Sequence, residues 1–224
     1  MALDLKNEIV SLRRSLLGMG VATQSRVDQT VEALVDGDVG VAERVKAGDA
    51  EIDAMEVDLE NHCMRVLALG SPVAHDLRFV LAVVRISADF ERIADLSRGI
   101  AKKVIRWETS GQPAEMPSSL VDMAYATRTM VHDVLSALAS EDPDACRAVR
   151  RADHRVDDLN KEVGAAARDA IHANTDMTGR ALDWMQVAQR LERIADIATN
   201  IAEDVIFLSE GRVVRHDKIT RTQE

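Results

Sequence analysis

The sequence predicts an all-α protein built from two pseudo-symmetric three-helix bundles, with six long helices in total. Three observations support this fold class: apolar residues recur at spacings of three and four, aromatic residues make up only 3% of the chain, and a motif of the first half returns in the second. The helical spacing is sustained, and runs of alternating apolar and polar residues, which mark half-buried strands, are missing from the sequence. An all-β protein is disfavoured because it depends on aromatic strands and frequent turns.

The turn residues and the apolar spacing together place the helices. Ser71-Pro72 and Asp142-Pro143 are each predicted to be an N-cap followed by proline at the first helical position. A stretch that contains two prolines, residues 109–119, is predicted to be a linker. The six helices are predicted at about 4–35, 39–69, 73–107, 118–139, 143–172 and 179–210.

The third and sixth predicted helices carry the clearest apolar seams. Such seams pack as near-parallel bundles, and short connections make successive helices antiparallel. In the third helix the seam consists of Phe79, Val83, Ile86, Phe90, Ile93, Ser97, Ile100 and Val104. In the sixth it consists of Val187, Leu191, Ile194, Ala198, Ile201, Val205 and Leu208.

An internal repeat divides the chain. The pentapeptide ERIAD at 91–95 recurs 101 residues later at 192–196. One helix earlier, GDAEIDAM (48–55) aligns with ADHRVDDL (152–159) at an offset of 104 residues. The sequence therefore predicts two related units, because a shared register in two helices is a poor match for chance. We place the first three-helix repeat at 1–110, the second at 116–210, and a polar C-terminal tail at 211–224.

Composition and charge exclude several classes of function. The chain has 28 basic and 38 acidic residues, a net charge of −10, which disfavours general binding to nucleic acid or anionic lipid. Its apolar runs are far shorter than the ~20 residues of a membrane span, and the N-terminus does not resemble a signal peptide. The two cysteines form no CxxC motif. We therefore expect a reduced, cytoplasmic protein without membrane insertion.

Acid pairs at matching positions of the two repeats are the candidate metal ligands. Acidic residues four apart on a helix share a face and repel each other by a few tenths of a kcal/mol. One such pair is usually only a solvated face, so the matching placement is what distinguishes these. Two antiparallel helices that each present a pair offer four oxygen ligands around one point, which suits a hard metal or a multinuclear iron site. The eight residues are Asp49, Asp53, Glu91, Asp95, Asp153, Asp157, Glu192 and Asp196.

Other patterns leave their alternatives open. No glutamate precedes a histidine by three positions, which disfavours a ferritin-like di-iron enzyme, and no phosphate-binding loop or hydrolase motif occurs. Small residues beside the acids of the sixth helix could leave room for ions or for a close partner; they are Ala188, Ala195 and Ala202. A basic stripe on the fifth helix either pairs with neighbouring acids or forms a docking patch; it comprises Arg147, Arg150, Arg151, His154 and Arg155.

The repeat and its motifs together resemble the PhoU proteins of bacterial phosphate regulation. The resemblance rests on DAEIDAMEVDLENHCMRVLAL and SPVAHDLRFVLAVVRISADFERIAD in the first half and on LERIADIATNIAEDVIFLSEGRVVRH in the second. It implies a PhoU-like fold and a multinuclear metal cluster on the eight acids, with iron as the first expectation and zinc or nickel as alternatives. The sequence has Ala94 and Ala195 where family members often have glycine, and Leu96 and Ile197 where they often have histidine.

The same resemblance implies a regulatory function rather than an enzymatic one. A PhoU protein is a negative regulator of the phosphate regulon and of high-affinity phosphate uptake. As a cytoplasmic metal-binding adaptor it would link the phosphate ABC transporter, through the ATPase subunit PstB, to the sensor histidine kinase PhoR. We also expect a homodimer. Two other hypotheses stay open: a metal-storage protein or metal-dependent helical-bundle enzyme, and a purely structural bundle whose acid pairs are solvated.

Overall fold

Seven α-helices and a short 3₁₀ turn at Thr175–Met177 form the part of the chain that the computed structural model describes, residues 4–109 and 115–212 without the side chain of Asp49. No strand occurs in these residues, so the all-α fold class is confirmed. Six helices are long, from 22 residues in α3 to 36 in α4, and α2 is short. The helices are α1 Leu5–Asp36, α2 Val39–Ala47, α3 Asp49–Gly70, α4 Ala74–Thr109, α5 Ser118–Ser140, α6 Pro143–Ala173 and α7 Thr178–Glu210.

The prediction of one continuous helix over 39–69 is wrong, because the chain breaks at Gly48 into α2 and α3. The cause is a contact with α1. The buried guanidinium of Arg26 donates to the carbonyl oxygens of Val45, at 2.6 Å, and Gly48, at 2.9 Å. A Cβ atom at position 48 would collide with that guanidinium, so glycine is what allows Arg26 to reach the backbone there.

One of the two predicted Pro-containing helix starts is confirmed and the other is wrong. The side chain of Asp142 accepts hydrogen bonds from the backbone of Asp144 and Ala145, with proline first in α6. Ser71, in contrast, ends α3 in a left-handed conformation with φ of 45°, and α4 begins only at Ala74. Because α3 extends to Gly70, this serine terminates one helix and does not start the next.

The helices form two groups around a central pair. The central helices are α4 and α7: α1, α2 and α3 pack on α4, while α5 and α6 pack on α7. The groups meet where α4 contacts α7 and where α1 contacts α5. Every residue of the two predicted apolar seams is buried, as expected for helices that face neighbours on several sides.

Two charged contacts join α4 to α7. Arg85 donates to Asp204 at 3.0 Å, and Lys103 donates to Asp183 at 2.7 Å. Since the earlier residue on α4 pairs with the later residue on α7, the two helices run antiparallel. The alanines expected beside the acids of α7 are all fully buried, so they pack inside the protein and do not border an open site; they are Ala188, Ala195 and Ala202.

Some predictions fall on parts of the chain outside the description. The linker is described only at 109 and 115–119, and the tail only at 211–212. The division into repeats at 1–110 and 116–210, with a tail at 211–224, therefore stays a prediction. Within the described residues, no helix is both long and apolar enough to cross a membrane.

Candidate metal centre

The carboxylates of the second repeat act on one another across the contact between α6 and α7. Asp153 is half-buried on α6. Burial is the main reason why its pKa rises to about 6, and the negative charges of Asp157, Asp196 and Glu192 raise the pKa further. Each of the four predicted acids of this repeat therefore lies close enough to contribute to one electrostatic cluster.

Asp196, on the opposite helix, responds in the same way. Its pKa is raised by partial burial first, and then by the charges of Glu192 and Asp157, with Arg193 acting in the other direction. Carboxylates that repel each other in a partly desolvated site are stabilised by a cation, and oxygen donors suit iron and other hard metals. The donor set thus fits the metal group that the sequence predicts.

A groove provides space beside these acids. It has a volume of about 460 Å³ and lies between α6 and α7. Glu192 forms part of its wall, so the groove opens directly onto the acidic cluster. Its remaining lining residues are Asn160, Lys161, Gly164, Leu182, Met185, Gln186 and Gln189.

The first repeat arranges its acids differently. Asp95 is exposed on α4 and forms an ion pair with Arg98, with 2.6 Å between Nη2 and Oδ1. A basic neighbour therefore relieves the negative charge of Asp95. Asp53 is exposed on α3, and Glu91 is half-buried on α4. Asp49 is the first residue of α3, but its side chain lies outside the description.

Glu56 is an acid of this region that the sequence prediction missed. Its pKa is raised by burial first and then by the charges of Glu60 and Asp53, while Arg92 opposes the shift. Asp49, Asp53, Glu56 and Glu60 recur at spacings of four, three and four along α3. Extending the acid pair by one helical turn in each direction would have found this stripe.

No closed set of ligands has formed around a metal position. Among the described side chains, no group of three or more His, Cys, Asp or Glu residues is arranged so that it could hold a metal ion. Asp53, Glu91 and Asp95 on the one side, and Asp153, Asp157, Glu192 and Asp196 on the other, are thus candidates for a centre whose ligands must still move together. Their metal-ligand roles, like that of Asp49, stay predictions.

The basic stripe of α6 is engaged by acids along much of its length. Arg147 pairs with Asp144 at 2.7 Å and also with Glu210 of α7. Arg150 pairs with Glu203, also on α7, at 3.1 Å. The stripe therefore helps to join α6 to α7, as its pairing with neighbouring acids predicts.

Comparison with known proteins identifies relatives of the whole arrangement. The model of the PhoU domain family matches residues 16–104 and again residues 120–205. The phosphate-specific transport system accessory protein PhoU homolog of Pseudomonas aeruginosa is 34% identical over 223 residues, which cover 97% of this chain and 90% of that protein. The phosphate-specific transport system accessory protein PhoU of Escherichia coli is 29% identical over 209 residues, which cover 93% of this chain and 86% of that protein.

Solved structures agree with this relationship. The crystal structure of PhoU from Pseudomonas aeruginosa has a TM-score of 0.89 and 31% sequence identity, covering 93% of this chain and all of that one. The crystal structure of the phosphate transport system regulatory protein PhoU from Streptococcus pneumoniae has a TM-score of 0.83 and 28% identity. That alignment covers 94% of this chain and 99% of the other.

Proposed function

This chain belongs to the PhoU family, and we propose that it is an accessory protein of the phosphate transport system that restrains phosphate uptake and phosphate-regulon expression when phosphate is abundant. The observation that carries the proposal is the match to accessory proteins over nearly the whole length of both chains. A likeness of this extent includes both acid-bearing helix pairs. It is therefore a likeness of the candidate site as well as of the scaffold.

In the proposed mechanism the protein is a cytoplasmic adaptor and not an enzyme. It contacts PstB, the ATPase subunit of the phosphate ABC transporter, and the sensor histidine kinase PhoR, and it does so as a homodimer. The support is indirect: long helices offer extended surfaces, and several apolar side chains are exposed on them. Val73 is 72% exposed between α3 and α4, and Leu182 is 48% exposed on α7.

Metal is the proposed internal ligand of this adaptor. Iron is the first candidate and zinc or nickel the alternatives, held as a multinuclear cluster by the acid pairs. The raised pKa values of Asp153 and Asp196 support this, because a cation would offset the repulsion that raises them. When bound, the metal would supply positive charge that draws α6 and α7 together; no catalytic step is assigned to it.

The proposal is tested in the cell by deletion and complementation. A phosphate-regulon reporter is measured at high phosphate in the parent, in the deletion strain, and in strains complemented with the wild-type or variant gene. We expect deletion to raise reporter output and the wild-type gene to lower it again. Equal, low output in parent and deletion strains would refute the regulatory role.

The same assay separates the metal site from the scaffold. The variant with Asp153→Asn and Asp157→Asn should complement poorly if metal is needed for regulation. The matched control is Glu43→Gln on α2, which changes an exposed ion pair with Lys46 and no candidate ligand. Protein levels are measured in each strain, so that loss of regulation is not confused with loss of protein.

A further inference from the structure

His154 has a buried ring nitrogen without a partner. Its Nε2 atom is buried from solvent and, among the described residues, makes no hydrogen bond. Folded proteins rarely leave a buried polar atom unpaired, and an unmade interaction of this kind needs an explanation, such as an ion that occupies the position. An imidazole nitrogen is also the commonest protein ligand for transition metals.

The position of His154 on α6 places it beside the acids of the second repeat. It lies one helical turn after Arg150, whose guanidinium reaches Glu203 on α7, so this side of α6 faces α7. Asp157 follows His154 by three residues and therefore shares that side. The neighbouring Asp153 feels the charge of His154 together with those of Asp157, Asp196 and Glu192. The unpaired nitrogen and the acidic cluster are thus adjacent.

The first repeat has no counterpart to this histidine. At the offset of 104 residues, His154 aligns with Ala50, which has no donor atom. The first repeat instead adds the carboxylate of Glu56, where the second repeat has Asn160. The two candidate centres therefore differ in chemistry: one offers oxygen donors alone, and the other combines oxygen donors with an imidazole.

We propose that His154 supplies a nitrogen ligand to the metal centre of the second repeat, and that this centre binds zinc, nickel or ferrous iron in preference to harder cations. Carboxylates alone suit magnesium, calcium and manganese, whereas imidazole favours zinc, iron and nickel. The two repeats thus form centres of unequal metal preference in one chain. This inference rests on the proposed metal-binding role, but not on the identity of the regulatory partners.

The first test observes the ring itself in the unmodified full-length protein. Metal is removed with a chelator, zinc is added, and the ring nitrogens of His154 are followed by ¹⁵N NMR, with assignment from His154→Gln. We expect the Nε2 resonance to move on addition of zinc while those of His172, exposed on the same helix, stay in place. Unchanged His154 resonances in zinc-loaded protein would overturn the proposal.

The second test measures affinity with a competing chromophoric chelator. We expect His154→Gln to weaken zinc binding at one centre by about tenfold or more, since even changes outside the ligand shell lower affinity 10–100-fold. Manganese binding should change much less. The control variant His172→Ala should match the parent for both metals. Equal losses of zinc and manganese affinity in His154→Gln would contradict a specific nitrogen ligand.

The outcomes also separate this inference from the proposed function. If Asp153→Asn with Asp157→Asn abolishes zinc binding while His154→Gln leaves it unchanged, the centre exists and the histidine is not its ligand. If the parent binds no zinc at all, both this inference and the proposed metal role fail. The reporter assay with the deletion strain tests the regulatory role independently of either result.

Discussion

Asp183 and Asp153 are both carboxylates held away from water, yet they have different electrostatic partners. Burial alone would raise the pKa of Asp183, but hydrogen bonds from Lys103 and Trp107 and the charges of Lys103 and Arg106 outweigh it and lower the pKa. Asp153 is surrounded by other acids, so burial and repulsion act together and raise its pKa to about 6. Asp183 is therefore a structural residue, while Asp153 lacks positive charge.

The pKa of Asp183 predicts an acid-dependent loss of stability. Because its folded-state pKa is lowered, Asp183 stabilises the fold at pH values above its unfolded pKa, ~3.9, and this contribution is lost as the pH falls through the folded pKa. Asp183→Asn should lower the free energy of unfolding by about 1–3 kcal/mol at neutral pH. Urea denaturation between pH 3 and pH 7 should show the gap to the parent closing at low pH. A gap that stays constant would contradict the assignment.

The acids of α7 give a prediction whose sign depends on metal. If Glu192→Gln with Asp196→Asn only removes repulsion, stability should be unchanged or rise by a few tenths of a kcal/mol. If the pair binds a cation, the variant should lose the stabilisation that binding adds, ~2.7 kcal/mol when metal is at a hundredfold excess over Kd. We expect the variant to melt earlier than the parent in added iron or zinc and to match it after chelation. Equal melting temperatures and equal metal content in saturating metal would show that the pair holds no metal.

At the scale of the helix, the break between α2 and α3 shows how a distant side chain sets a boundary. The carbonyl oxygens of Val45 and Gly48 are both occupied by Arg26 of α1, which is itself buried. This contact fixes where α3 begins. It thereby sets the register of the acidic stripe, since Asp49 follows the break directly.

Two glycine substitutions should have opposite effects on stability. Gly48→Ala should destabilise the protein by about 1–3 kcal/mol, because the new methyl group displaces the Arg26 guanidinium from its hydrogen bonds. Gly164→Ala, the control within α6, meets only an ordinary contact at 3.7 Å from Arg168 and should stabilise by about 0.5–1 kcal/mol. Chemical denaturation measures both. Stabilisation by Gly48→Ala would show that Arg26 can move without loss.

At the scale of the molecule, the antiparallel pair α4 and α7 connects the two groups of helices. Its apolar seams are buried, and ion pairs stand towards its two ends. Asp204, the acid of one of these pairs, is almost fully buried, while its partner Arg85 is partly exposed. Such a contact favours unfolding of both groups together, because neither group keeps its buried surface when the other is lost.

Overpacking within this central region should weaken the whole molecule. Ala195→Leu places extra volume at a fully buried position of α7 and should destabilise by about 1–3 kcal/mol. Ala152→Leu makes the same change at an exposed position of α6 and should be nearly neutral. Circular dichroism and tryptophan fluorescence should report one coincident transition in parent and variant. Separate transitions in the parent would contradict joint unfolding.

The sequence alone determined the features that depend on local spacing. The all-α class, the apolar seams and the Asp142 cap follow from periods and caps that lie within a few residues of each other. The family resemblance was also available from the sequence, because the repeated acid-bearing motifs carry it. The eight candidate ligands could be named for the same reason, since residues four apart share a helix face.

Tertiary structure decided what depends on contacts between distant segments. The break at Gly48 requires Arg26 on another helix, and the unequal environments of Asp95 and Asp153 depend on whether a base or another acid lies opposite. The buried, unpaired nitrogen of His154 likewise depends on how α7 covers α6. Periodicity specifies which residues share a face of one helix. Packing between helices decides which faces meet, and therefore which charges are neutralised and which await a cation.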